Sequence, residues 1–262
     1  MIYITGDIHG DPRRFSTFEF PEQREMTKDD YVVILGDFGL VWDVKQSRTE
    51  KYWLKWLDDK PFTTLFIDGN HENFDRLNNY PVEMWNGGKI HKISNSVYHL
   101  MRGQVFEIEG KKIFTFGGAK SHDISDGILE IGDPRIKKWN KDYTKMFRIN
   151  KLSWWEQELA NQEEINEALI NLEKADWKVD FVFTHCCPTS TAVLLGGFSD
   201  NDITTNFLED VRAKLDFKKW YFGHYHMDRS VNASEICFYE KIIQISDKEL
   251  VKSYEEIFGE ER

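Results

Sequence analysis

The segment IYITGDIHG, residues 2–10, runs four strand-forming residues into Gly6 and then sets Asp7 and His9 two apart, with Gly10 closing the turn. β-Branched and aromatic residues bounded by glycine suit a strand. In an open α/β sheet the loop beyond a strand's carboxyl end is held rigidly by the scaffold, and sites are built there. An oxygen and an imidazole two apart can converge on one cation if that loop turns. A polar strand end carrying a solvated histidine reads the same residues equally well, because short motifs match by chance.

The rest of the chain decides between the two readings. YVVILG (31–36) ends at Asp37, TTLFIDG (63–69) at Asn70 and His71, VDFVFTH (179–185) at His185, and KKWYFGHYH (218–226) at His224 and His226. Five of the eight histidines therefore fall at strand ends, with two aspartates and one asparagine. If these strands run parallel, their loops share one edge and the side chains converge. Imidazoles with carboxylates select first-row metals such as manganese, iron, zinc, nickel or cobalt over magnesium or calcium. Two such ions, about 3.5–4 Å apart, can clamp a phosphoryl group. Asp37, in the second of the five loops, is the candidate for the carboxylate that bridges them.

The bulk numbers set limits. The chain has 262 residues, 40% of them hydrophobic and 15% aromatic, which fits one large α/β domain over 1–262. A net charge of −11 argues against long nucleic acid as a partner, since neutralising phosphates needs a basic face. No apolar run is long enough to span a membrane, and the start lacks a signal-peptide pattern. Three cysteines, two of them adjacent (Cys186 and Cys187), make no disulfide framework, so a reducing cytoplasm is the expected compartment.

The first third alternates strand and helix, with RTEKYWLKWLDD (48–59) carrying its apolar residues at helical spacing. KIHKI, VYHLMRGQVFEIEG and KKIFTFGG then read as an antiparallel meander, with a hairpin turn at EGKK (109–112) and a second sheet packed on the first. Residues 120–151 hold Arg135, Lys137, Lys138, Lys141, Lys145, Arg148 and Lys151, the most basic stretch of an acidic chain. They read as an insertion or cap, or as a solvated face. SWWEQELANQEEINEALINLEKA (153–175) reads as one long helix, capped by Ser153 with Glu156 completing a capping box. DITTNFLEDVRAKL (202–215) is a further helix, EICFYEKIIQIS closes with strands, and YEEIFGEER reads as an acidic surface tail.

The blocks GDIHG, GDFG, GNHE, TH and GHYH, in this order over roughly residues 5 to 226, resemble the calcineurin-like metallophosphoesterase superfamily. The resemblance implies a four-layer αββα sandwich of two mixed sheets with a dinuclear site at the strand carboxyl ends. It implies that Asp7, His9 and His226 bind one metal and Asn70, His185 and His224 the other, with Asp37 bridging. His71 would not be a ligand but a general acid or charge stabiliser at the leaving oxygen. The implied activity is hydrolysis of a phosphomonoester or phosphodiester by a metal-bridging hydroxide. The cofactors would be two divalent transition-metal ions, manganese foremost, and the substrate a small phosphorylated molecule such as a nucleotide. GGAKSHD and SWWEQE also resemble a bacterial and phage-type subgroup of undefined substrate.

Two departures qualify this. The protein Ser/Thr phosphatases of the superfamily continue their second block with Asp-Arg-Gly, where this chain reads GDFGLVWD, and Arg76 is a weak stand-in for their second arginine. Basic residues of 135–148 are an alternative source of phosphate contacts. The competing readings are a nucleotide or cyclic-nucleotide phosphodiesterase and a non-catalytic metal-bound scaffold, the latter disfavoured by the complete ligand set. Of the remaining candidates, His91 and His99 read as structural or surface residues, and Cys186 and Cys187 as core. Trp154 and Trp155 read as anchors of the long helix. His122 can approach the site, while Tyr225, Phe38 and Phe74 are candidates for the substrate pocket.

Overall fold

A computed structural model describes residues 1–198 and 201–245. The acidic stretch 254–262 lies outside the described residues. In chain order the strands are β1 Ile2–Thr5, β2 Tyr31–Ile34, β3 Thr63–Phe66, β4 Val82–Trp85, β5 Gly88–Lys92, β6 Val97–Leu100, β7 Gln104–Ile108 and β8 Lys111–Phe116. They continue with β9 Gly127–Leu129, β10 Phe147–Ile149, β11 Phe181–Thr184, β12 Lys219–Phe222, β13 Arg229–Ser230, β14 Glu235–Cys237 and β15 Ile243–Ile245. The α-helices are α1 Arg48–Asp58, α2 Phe74–Leu77, α3 Ile136–Trp139, α4 Gln162–Lys174, α5 Thr189–Gly196 and α6 Ile203–Lys214.

One sheet runs β15-β1-β2-β3-β6-β5-β4 and the other β13-β14-β12-β11-β8-β7, with β9 and β10 as a separate parallel pair. Within the first, β1, β2, β3 and β6 are parallel; within the second, β8, β11, β12 and β14 are. Period-two alternation divides the apolar residues between layers. Ile2, Ile4, Val33 and Leu65 of the first sheet meet Phe106, Ile113, Phe181, Phe183 and Tyr221 of the second in a core between the sheets. Tyr3, Val32, Ile34 and Phe66 face outward onto Leu54 and Leu57 of α1. Val182, Trp220 and Phe222 face outward onto α4, α5 and α6 through Leu172, Leu195 and Leu208. The result is the four-layer αββα sandwich.

The meander divides between the sheets: β4–β6 stay with the first, while the β7–β8 hairpin opens the second. Its two-residue turn puts Glu109 and Gly110 at φ of 52° and 69°, as a tight hairpin of this hand requires. The reading of 153–175 as one helix is corrected. A short 3-10 turn covers Glu156–Glu158, and α4 begins only after Asn161, whose side chain and Glu164 form the capping box. Ser153 does not cap a helix because its hydroxyl accepts from Ile149 N instead (2.9 Å), and Trp155 donates to Asp75 (3.0 Å). Among the described residues no helix is long and apolar enough to cross a membrane.

Candidate metal centre

The parallel strands β1, β2 and β3 of one sheet and β11 and β12 of the other bring five carboxyl-terminal loops to a common edge. Backbone bonds lock the loops together: His9 N donates to Asp37 O (2.9 Å), Gly10 N to Phe38 O (2.9 Å) and Gly223 N to His185 O (2.9 Å). Glu72, fully buried, accepts from Phe38 N (2.7 Å) and Gly39 N (3.3 Å), tying the third loop to the second. The loops bend sharply. His9, Asp37, His224 and His226 all take left-handed φ, at 46°, 44°, 69° and 51°. Residues with side chains enter that region at a steric cost, least for Asp, Asn and His, and besides tight turns such positions gather at functional sites. The glycines leave the room: a Cβ on Gly36 would lie 1.9 Å from His185 Nδ1, and one on Gly69 2.0 Å from Asp37 Oδ1.

The donors converge without satisfying one another. Asp7 is fully buried; its Oδ1 accepts from His224 N (3.0 Å), and its Oδ2 has no hydrogen-bond partner among the described residues. Two imidazole nitrogens face that oxygen, His226 Nε2 at 3.2 Å and His9 Nε2 at 3.8 Å, and they lie 2.9 Å from each other. On the other side of Asp37, His185 presents Nδ1 to the Leu35 carbonyl (2.9 Å). That leaves its Nε2 3.3 Å from both Asp37 Oδ1 and Asn70 Oδ1. A histidine whose one nitrogen donates to a carbonyl turns the lone pair of the other outward, as metal-binding imidazoles do. Among the described residues, three groups have ligand atoms mutually within 4.8 Å: Asp7–His9–His226, His9–Asp37–His71 and Asp7–Asp37–His185. His224 joins through its ring, 4.9 Å from that of His185. This donor set and the orphaned Asp7 oxygen fit divalent cations.

The electrostatics agree. Burial alone would raise the Asp37 carboxyl, but His185, His71 and His9 hold it well below the usual carboxylate range. Burial would lower His185, yet Asp37 and Asp7 raise it to about 9. A pocket that draws a proton onto a buried imidazole is short of positive charge. His71 falls to about 4, through burial first and then Arg148, against the pull of Asp37. Its ring stacks on Trp42, with centroids 5.4 Å apart.

A cleft of about 270 Å³ opens over the cluster, walled by His71, His122, Asp123 and Arg148. His122 does approach, its ring 4.6 Å from that of His224. Other candidates do not line it. Phe38 stacks on Phe66 in the core (4.1 Å), Phe74 is buried beside Arg102, and Tyr225 is buried against Phe222 and Phe198. Arg76 is bound to Glu50 by two short bonds (2.6 and 2.8 Å), so it reaches no substrate. His91 and His99 form a buried stacked pair away from the cleft, and Cys186 and Cys187 are core. Trp155 is a core anchor of the loops beside Trp42 rather than of a helix.

The groups that support these donors carry no mark in the sequence. Asn70 Nδ2 donates to Ser121 Oγ (3.3 Å), and Ser121 donates from Oγ and N to the buried Glu158 (2.6 and 2.9 Å). With its one hydroxyl proton directed at Glu158, the serine oxygen has only lone pairs to offer the amide. The amide nitrogen of Asn70 is thereby turned away and its oxygen turned toward His185. Ser121 and Glu158 belong to GGAKSHD and SWWEQE, the two motifs that resemble the bacterial and phage-type subgroup.

A family model described as calcineurin-like phosphoesterase matches residues 1–228. Among curated proteins, the chain is 27% identical over 143 residues to lariat debranching enzyme A of Xenopus laevis, covering 49% of this chain and 26% of that protein. It is 28% identical over 170 residues to the lariat debranching enzyme of Drosophila pseudoobscura pseudoobscura, covering 58% and 30%. The matches thus span less than a third of the length of these relatives.

Proposed function

The chain belongs to the calcineurin-like phosphoesterase family, whose members are metal-dependent phosphoester hydrolases, and from that premise we propose that it cleaves a phosphodiester at two divalent cations. The observation that carries this reading is the unsatisfied convergence on Asp7 and Asp37: a buried carboxylate oxygen without a hydrogen bond, facing imidazole nitrogens. Asp7, His9 and His226 would hold one cation and Asn70, His185 and His224 the other, with Asp37 shared. When bound, the ions would supply positive charge for phosphoryl oxygens and lower the pKa of a water; manganese is the first of the transition ions to try.

The diester reading draws on the relatives. Debranching a lariat means cutting a link between two segments, and in a phosphoesterase that link is a diester. A nucleotide or short nucleic-acid segment is the matching substrate class, and the 120–151 segment forms one wall of its cleft. His71 works from the loop after β3, facing Arg148 of that wall. Its Nε2 lies 3.9 Å from Asp37 Oδ2 and accepts from Arg148, and its low pKa keeps it neutral. A neutral imidazole has one N–H, so stabilising the leaving oxygen by hydrogen bonding from Nε2 would need the ring proton on that nitrogen, with Arg148 turned from His71 to the phosphoryl group.

The test is hydrolysis of a chromogenic diester and its monoester counterpart after chelation and manganese add-back. Diester cleavage restored by metal supports the reading; preferred cleavage of the monoester overturns the diester assignment. His71→Ala is expected to keep its metal and lose about 10²–10⁴-fold in turnover. His71→Asn, which can hydrogen-bond but not take up a proton, is expected to retain part of it.

A further inference from the structure

The basic stretch sends one side chain into the cleft. Arg148, on β10, is 8% exposed, and among the described residues it is the one arginine or lysine lining the cleft over Asp37 and His224. It is held from three sides: Nε donates to Asp123 Oδ1 (2.7 Å), Nη1 to the Ser153 carbonyl (3.0 Å) and Nη2 to His71 Nε2 (3.0 Å). Asp123 lies in GGAKSHD and Ser153 in SWWEQE, so both motifs grip this guanidinium.

Its neighbours in the segment behave differently. Arg135 and Lys145 pair with Asp133 and Asp126 from exposed or half-exposed positions. Their pairings are those of a surface, where charges remain hydrated. Burying a cation removes that hydration, and Asp123, itself half-exposed, offsets the loss only in part. A guanidinium offers five N–H donors and can accept nothing. Three of the five are committed here, one of them to a neutral imidazole nitrogen, a weaker acceptor than an anionic oxygen.

We infer that Arg148 is the substrate-binding arginine of this site, gripping an oxygen of the phosphoryl group beside His71. The inference rests on the proposed metal centre, because the cations would hold the same phosphoryl group. The planar fork matches phosphate geometry, which an ammonium does not reproduce. Asp123 and the Ser153 carbonyl are positioning groups, fixing the plane of the fork.

The experiment uses the full chain loaded with manganese and inorganic phosphate as the probe. Phosphate affinity is measured by calorimetry and manganese content by elemental analysis, for wild type, Arg148→Ala and Arg148→Lys. The expected result is phosphate binding weakened about 10- to 100-fold in Arg148→Ala with manganese content unchanged. Arg148→Lys, which keeps the charge and the stem, is the variant to rely on if alanine does not fold, and it is expected to be weakened several-fold. Phosphate affinity within twofold of wild type in a folded, manganese-loaded variant overturns the inference alone. A wild type that takes up no manganese overturns the metal-centre reading and this inference with it.

Discussion

Around Asp68, buried acid and imidazole groups are paired until nothing is left over; around Asp7 and Asp37, groups of the same types are left facing one another. Asp68 Oδ1 meets His99 Nε2 at 3.0 Å, and its Oδ2 accepts from Arg102 Nε and Nη2 at 2.8 and 2.6 Å. His99 meets His91 through Nδ1 atoms 3.0 Å apart. Arg102 spends its other donors on Glu164 and on the carbonyls of Leu159 and Gln157. Burial would raise the Asp68 carboxyl, but Arg102 and His99 hold it well below the usual range. The backbone there takes no left-handed turn among the non-glycine residues. The Asp7–Asp37 cluster has an orphaned oxygen, opposed imidazoles and four left-handed residues. The lesson is that an Asp–His cluster whose carboxylate is bonded by an arginine is a structural tie, while one whose carboxylates are not, its arginine reaching only a histidine, is suited to a cation from outside.

This contrast can be broken by experiment. The largest effect is expected at the structural tie. Arg102→Met leaves Asp68 buried without its cation and is expected to destabilise the fold by about 3–5 kcal/mol. Denaturant unfolding should show the same loss in chelator and in manganese; a loss that manganese abolishes would mean that the two clusters are not distinct. The second effect sharpens the other side. Ser121→Ala frees the Asn70 amide to turn, and manganese affinity is expected to fall about 10- to 100-fold, with about 1–3 kcal/mol of stability lost where Glu158 loses its donor. Glu158→Gln, which can hydrogen-bond to the serine either way, is expected to fall less. Unchanged affinity in both would remove the orienting role assigned to Ser121.

The strand ends were legible because one chemistry recurs after five apolar runs, and a chain with that repeat has few alternatives. Asp68 shows the limit: it sits two residues from Asn70 in TLFIDGN, and no spacing distinguishes a residue that meets an arginine from one proposed to hold a metal. The left-handed φ of His9, Asp37, His224 and His226 was hidden, because histidine and aspartate carry no sequence mark for it as glycine does. Arg148 is visible in the sequence only as one of the seven basic residues of 135–151. Its distinction comes from Asp123 and Ser153, which the chain brings to it from 25 and 5 residues away. Ser153 and Glu156 misled for the same reason: a serine three before a glutamate signals a helix start only if tertiary contacts leave the serine free.

The most direct measurement is the number of manganese ions bound per chain at equilibrium, for wild type and for Asp37→Ala. Two ions in the wild type, with Asp37→Ala retaining at most one weakly held ion and no diester cleavage, is the result predicted by a shared carboxylate. No bound ion in the wild type, or full and equally tight binding in Asp37→Ala, would contradict it.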